Sequence, residues 1–153
     1  QELISYFANV SEDTAIIFFG DHQPNVPSAF YDDLYGNTDA ERSREQKQTK
    51  LITPFFIWAN YDIGSQTGVE ISANYLSAFA LDALGCSTSG FDELRLAAQQ
   101  SVPRINSYGY YLADGSWHDN ETLSECEALT AYRSAQYAQI FDPKKRIPQW
   151  YLP

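Results

Sequence analysis

The stretch that decides the fold is Thr14-Ala15-Ile16-Ile17-Phe18-Phe19-Gly20-Asp21-His22-Gln23-Pro24. Its five consecutive apolar residues, Ala15 to Phe19, predict a β-strand buried on both faces, because a run without polar alternation has no solvent side. Gly20 lets the backbone turn sharply at the strand's end. Asp21 and His22 then emerge together at its C-terminal edge, the side of an open α/β sheet where ligands and chemistry collect. An adjacent carboxylate and imidazole suit a divalent metal, which finds hard oxygen and borderline nitrogen together. The same pair also serves as a helix cap followed by a polar loop residue, so its neighbours must decide.

Working outward, residues 2–8 have the apolar spacing of a helix end, and Asn9 to Asp13 form a turn. Pro24 and Pro27 hold the loop after the dyad extended. Residues 28–35 predict a short helix with Ser28 as N-cap and with Phe30 and Leu34 facing inward. From 36 to 50 the chain has no apolar residue larger than Ala and mixes charge signs. That composition predicts a solvated, mobile segment, with a substrate-gating loop as its functional reading. Thr53-Pro54 opens a second strand, Phe55 to Ala59, since proline fits a strand only at its start or edge. Ser72 caps a helix that aligns Leu76, Phe79, Ala80, Ala83 and Leu84, and Gly85 ends it.

A short linker, Cys86 to Gly90, leads to a helix over 91–100 that stops before Val102-Pro103. Residues 105–113 predict a strand, Asp114-Gly115 a tight turn, and Ser116-Trp117-His118 the return strand. A last helix runs from about Ser124 to Phe141, with Leu129, Tyr132, Arg133, Gln136, Tyr137, Ile140 and Phe141 along one side and Asp142-Pro143 after it. The chain thus divides into an α/β unit over 1–104, an antiparallel hairpin with a terminal helix over 105–142, and a loosely held tail over 143–153.

At 153 residues and 44% hydrophobic content the chain can bury one sizeable core and is not a disordered sequence. A net charge of −10 excludes nucleic acid as a partner and disfavours anionic lipid surfaces. No run approaches the ~20 apolar residues of a membrane span. The opening QELISYF is not a signal peptide; it reads as the tail of a helix, and hence as part of a longer protein. Cys86 and Cys126 would pair in an oxidising compartment, closing a loop worth ~3–4 kcal/mol; the other reading is two free thiols.

Four segments, in order, carry a family resemblance: Phe18-Phe19-Gly20-Asp21-His22-Gln23-Pro24, then Thr53 to Tyr61 (TPFFIWANY), Ile71 to Leu76 (ISANYL) and Tyr132 to Phe141 (YRSAQYAQIF). Together they resemble the C-terminal part of the lipoteichoic acid synthase branch of the sulfatase/alkaline phosphatase superfamily. The resemblance implies an α/β fold, the C-terminal portion of an alkaline phosphatase-like α/β/α sandwich. It implies that Asp21 and His22 ligate a divalent cation, manganese first, with magnesium, calcium or zinc as alternatives. It further implies a threonine nucleophile and another acidic ligand upstream, and no threonine in this chain matches that nucleophile motif. This part alone is then inactive. The intact protein would be a phosphoglycerol transferase of the extracytoplasmic face of a bacterial membrane, anchored by upstream spans and acting on lipid-linked or sugar phosphate esters. Sulfate-ester hydrolysis is the superfamily's other chemistry.

Gln23 adjoins the dyad, and Asn60 with Tyr61 ends the second strand; these are the candidate substrate contacts, with a capped turn as the plain reading of Asn60. His118 lies among acids and reads as a loop histidine. Tyr108, Tyr110, Tyr111 and Trp117 form either a sugar-stacking face or ordinary cross-strand pairs. They motivate the alternative function: a released, non-catalytic domain that binds wall glycan or a protein partner.

Overall fold

Strand β1 (Ala15–Phe19) pairs antiparallel with β2 (Phe55–Ala59), placing Ala15 opposite Ala59 and Phe19 opposite Phe55. The structure is a computed structural model and describes residues 1–142 and 144–152. Before β1 comes a short helix, α1 (Glu2–Phe7); between the two strands lie α2 (Ser28–Tyr35) and α3 (Arg44–Gln48). Helices α4 (Ala73–Ala83) and α5 (Gly90–Ser101) follow, then a three-stranded antiparallel sheet of β3 (Arg104–Ile105), β4 (Gly109–Tyr111) and β5 (Trp117–Asp119), and finally α6 (Thr130–Phe141). The architecture is the expected α/β mixture with a small antiparallel unit and a C-terminal helix. Among the described residues no helix is long and apolar enough to cross a membrane.

The expected burial of β1 on both faces is corrected: Phe18 and Phe19 are each 54% exposed. A run of apolar residues reports what a strand would bury, not what covers it. In this two-stranded ribbon one face of β2 meets α4 through Phe55, whose ring stands edge-on to Phe79 at 6.1 Å. Phe18 stacks on its cross-strand partner Phe56 at 5.2 Å.

Helix α4 has two roles. Phe79 meets the ribbon, while Tyr75, one turn before it, and Ala78 are fully buried. Tyr75 enters the core, in which it packs with Ala98 and Val102 of the α5 region, Tyr110 of β4, and Leu129 and Tyr132 at α6. The helix ends as expected. Gly85 takes the left-handed conformation (φ 67°), its N–H bonds the Asp82 carbonyl, and the Cys86 N–H reaches back to Leu81. At the other end Ser72 holds the N-cap position, yet its hydroxyl donates to the Ile105 carbonyl at 2.8 Å and accepts from the Ile105 N–H. Ser72 therefore clamps α4 to β3. Helix α5 carries a full capping box: the Ser89 hydroxyl accepts from the Asp92 N–H and the Asp92 carboxylate accepts from the Ser89 N–H at 2.9 Å.

Four further expectations are corrected. In α2, Pro27 and not Ser28 occupies the N-cap, and Phe30 and Leu34 are exposed. The inward side is polar: Asp32 pairs with Arg42 and Tyr35 bonds Thr49. Residues 36–50 are ordered by their polar groups. Ser43 and Gln46 form a capping box for α3, and Arg42 (4% exposed) is bonded to Asp32 and Asp39. Buried Gln48 donates to the Tyr111 hydroxyl and accepts from Asn106, each at 2.8 Å. Buried polar groups that satisfy one another order a segment as effectively as apolar ones. The expected strand 105–113 is broken where the Asn106 side chain accepts from the Tyr108 and Gly109 N–H groups and reverses the chain. Helix α6 starts at Thr130, because residues 120–129 form two 3₁₀ turns separated by extended Cys126.

The Asp114-Gly115 turn forms: Gly115 is left-handed (φ 84°) and its N–H bonds the Leu112 carbonyl. On α6 the buried residues are Tyr132 and Ala135, preceded by Leu129, while Tyr137, Ile140 and Phe141 are exposed. Among the described tail residues, 144–152, Tyr151 is half-buried and the others are exposed. Tyr151 packs on Phe91 at 5.2 Å and donates to the Ala135 carbonyl. Pro143 and Pro153 of that tail lie outside the described residues. Cys86 and Cys126 are free thiols.

Two stability predictions follow from the core and its cap. A Cβ at Gly109 would fall within the His118 carbonyl and the Trp117 ring. Gly109→Ala is expected to destabilise by ~2 kcal/mol or more, read as a lower midpoint in denaturant. Burial pushes the Asp92 carboxyl up, but the Ser89 hydroxyl and N–H and the Arg95 guanidinium outweigh it and hold it below its ordinary value. A depressed carboxyl contributes stability above its unfolded pKa of about 3.9, lost as pH falls through the folded value. Asp92→Asn is therefore expected to lower Tm at pH 7, with the gap to wild type closing in acid below that range.

Candidate metal-binding site

Gly20 delivers the dyad by a close approach between two segments of the chain, not by a left-handed turn. Its N–H donates to the Pro54 carbonyl at 3.0 Å, and a Cβ there would stand 3.0 Å from Thr53 Cβ. Residues 20–23 thus lie beside 52–54. Gln23 completes the clamp: its side-chain amide donates to the Ile52 carbonyl.

Asp21 and His22 project from this anchored loop into solvent, their side chains 80% and 77% exposed. Neither caps a helix, since the next one begins at Ser28 with Pro27 in the cap position. The loop orders the pair locally. The Asp21 Oδ1 accepts from the His22 N–H at 2.9 Å. The His22 Nδ1 lies 2.8 Å from the Gln23 carbonyl oxygen. A carbonyl only accepts, so Nδ1 carries the proton and Nε2 keeps its lone pair outward, the tautomer a metal-binding imidazole uses.

That Nε2 stands 3.5 Å from Asp21 Oδ2. Two ligand atoms each ~2.1 Å from one tetrahedral ion lie roughly 3.4 Å apart. Spacing and donor chemistry therefore fit two neighbouring ligands of one divalent ion. Among the described residues no group of three or more His, Cys, Asp or Glu is placed to hold a metal, so Asp21 and His22 stand as a pair without a third such donor.

Asn60 is elsewhere. Because β1 and β2 run antiparallel, it follows Ala59 at the Ala15 end of the ladder, about 17 Å from the Phe19 end that carries the dyad. Its side chain is occupied: Oδ1 accepts from the Thr14 N–H at 2.8 Å, and Nδ2 donates to the carbonyls of Phe7, Val10 and Glu12. Tyr61 donates to the Leu84 carbonyl at 3.3 Å. The structure brings Gln23 to the dyad and leaves Asn60 as a tie between α1, β1 and β2.

The hairpin aromatics are mostly committed. Tyr110 is 5% exposed and belongs to the core, with His118 stacked on it at 5.2 Å. Tyr111 lies under the Arg104 guanidinium at 3.7 Å and beside Trp117.

A cationic group in the segment before β2 was not singled out from the sequence. Lys50 lies two residues before Ile52, whose carbonyl Gln23 holds, and its Nζ sits 4.6 Å from the centre of the Tyr31 ring. Arg42, Arg44, Lys47 and Lys50 are four of the chain's ten Lys and Arg, gathered in nine residues. That density was the available signal in the sequence.

Asn60→Ala removes the tie without approaching the dyad. It is expected to destabilise by ~2 kcal/mol from several lost hydrogen bonds, while metal titrations of folded protein match wild type.

Comparison with known proteins gives one family: the Sulfatase family model matches residues 1–86, from α1 past the end of α4 and through the dyad. No curated protein and no solved structure matches the chain.

Proposed function

This chain belongs to the sulfatase family, and from that premise we propose that it is the dyad-bearing part of a metal-dependent enzyme acting on phosphate or sulfate esters. The observation that carries the reading is the Asp21–His22 pair, anchored at the strand end with its donor atoms 3.5 Å apart and the imidazole tautomer set by Gln23. Asp21 and His22 hold the ion, manganese by preference and magnesium, calcium or zinc otherwise. The bound ion supplies charge stabilisation to a phosphoryl or sulfuryl oxygen and lowers the pKa of a bound hydroxyl. The chain's own residues position it: Gly20 brings the loop against Thr53, and Gln23 locks it to Ile52.

The nucleophile in this reading is a threonine supplied by an upstream part of the same protein, and residues 1–153 alone are inactive. The exposed apolar faces of β1 support a neighbouring upstream segment packed there. The reaction we favour is phosphoglycerol transfer from a lipid-linked donor at the extracytoplasmic face of a bacterial membrane, in the making of a cell-envelope polymer.

Titration of the chain with Mn²⁺ is expected to show weak binding, reduced at least about tenfold in Asp21→Ala and in His22→Ala. Equal affinity in the variants would remove the dyad from the site. In protein extended to include upstream residues, Mn²⁺-dependent release of the head group from labelled phosphatidylglycerol, lost in Asp21→Ala, supports the transferase; turnover of sulfate esters alone supports the hydrolase.

A further inference from the structure

In the segment between α2 and β2 three cationic side chains converge on one carboxylate. Asp39 Oδ1 lies 2.8 Å from Lys50 Nζ and 3.3 Å from Arg42 Nη1, and its Oδ2 lies 3.6 Å from Lys47 Nζ. The arrangement is built, not adventitious. The Arg42 side chain is wholly buried and held from behind by Asp32. Lys50 is seated over the Tyr31 ring. The nearby acids are committed elsewhere: Glu41 accepts from the Thr38 N–H and hydroxyl, and Glu45 accepts from the Tyr111 hydroxyl. Two carboxylates, Asp32 and Asp39, thus face three cations directly, while Glu41 and Glu45 bond neutral donors and leave those cations unpaired by them.

Asp39 is the removable member. Its side chain is 55% exposed, whereas the two lysines are about a quarter exposed. A phosphate or sulfate group presents more oxygens than a carboxylate, and arginine with lysines is the donor set that recognises it. Position matters too. Lys50 is tied to the dyad loop through Ile52 and Gln23.

We propose that Arg42, Lys47 and Lys50 form an oxyanion cradle for the phosphate or sulfate group of the substrate, and that Asp39 occupies the cradle until that group displaces it. The proposal rests on the ester-processing reading for its substrate, but not on the metal. An intramolecular carboxylate competes at high effective concentration, so resting affinity for a free anion is low by design.

The test is binding of inorganic phosphate to the full chain, by calorimetry, in the presence of a chelator so that the dyad carries no ion. Asp39→Asn is expected to bind phosphate at least tenfold more tightly than wild type, and adding Lys50→Ala to that variant to abolish the gain. Asp21→Ala is expected to leave phosphate binding unchanged, which separates the cradle from the dyad. Should Asp39→Asn fail to fold, Lys50→Gln in the wild-type chain replaces it, and the rise in Tm caused by phosphate is expected to disappear. The proposal is overturned if Asp39→Asn binds no more tightly than wild type, if the gain survives Lys50→Ala, if Lys50→Gln keeps the rise in Tm, or if Asp21→Ala removes phosphate binding.

Discussion

The antiparallel register of β1 and β2 is the constraint on which the rest of the functional end depends. With Phe19 opposite Phe55, the residues leaving β1 and those entering β2 must share one end of the ribbon. Gly20 makes that possible by presenting no side chain to Thr53. The dyad loop is then held by a main-chain bond to Pro54 and a side-chain bond to Ile52. The same register returns the 28–51 excursion to the dyad's end, so α2 and α3 approach it from the sequence between the strands. A ladder of five residue pairs thereby puts Asp21 and His22 at one end of the ribbon and sends Asn60 to the opposite end.

The elements legible in the sequence were those with local causes. Pro54 marks the start of β2, Gly85 the end of α4, and Asp114-Gly115 the hairpin turn; each acts through its own backbone. The dyad was legible as a pair of donors for the same reason. Misread features depended on distant partners. Phe18 and Phe19 have the composition of a core strand but lack covering layers. Asn60 was assigned to the dyad's end because strand direction leaves no mark in a short apolar run. Arg42 and Gln48 were read as solvated because their partners Asp32, Asp39, Tyr111 and Asn106 are spread along the chain.

Burial and chemistry occupy different parts of the molecule. The core gathers Tyr75, Val102, Tyr110, Leu129 and Tyr132, all from α4 onward, and the docked Tyr151 extends it. The dyad sits on the ribbon, joined to that core through Phe55 against Phe79 and through Tyr61 on Leu84. Helix α4 joins the two parts, with Tyr75 in the core and Phe79, one turn on, against the ribbon. Losses of stability from the core and losses of ligand at the ribbon are for this reason separable: substitutions distant from one another, with no shared partners, act additively.

The exposure of the dyad limits what two ligands achieve. In water each donor exchanges its own hydration for the ion, and the gain per ligand is small; tight sites need three or four donors already aimed at one point. What this chain contributes is preparation. The Gln23 carbonyl sets the imidazole tautomer, the Asp21 carboxylate is turned by the His22 N–H, and the loop is clamped at both ends. An ion that met further donors on a neighbouring segment would find this half already ordered, and the entropy of arranging it would not be lost again. The apolar surface of β1 leads into the same loop, so exposed strand and exposed dyad share one end of the ribbon.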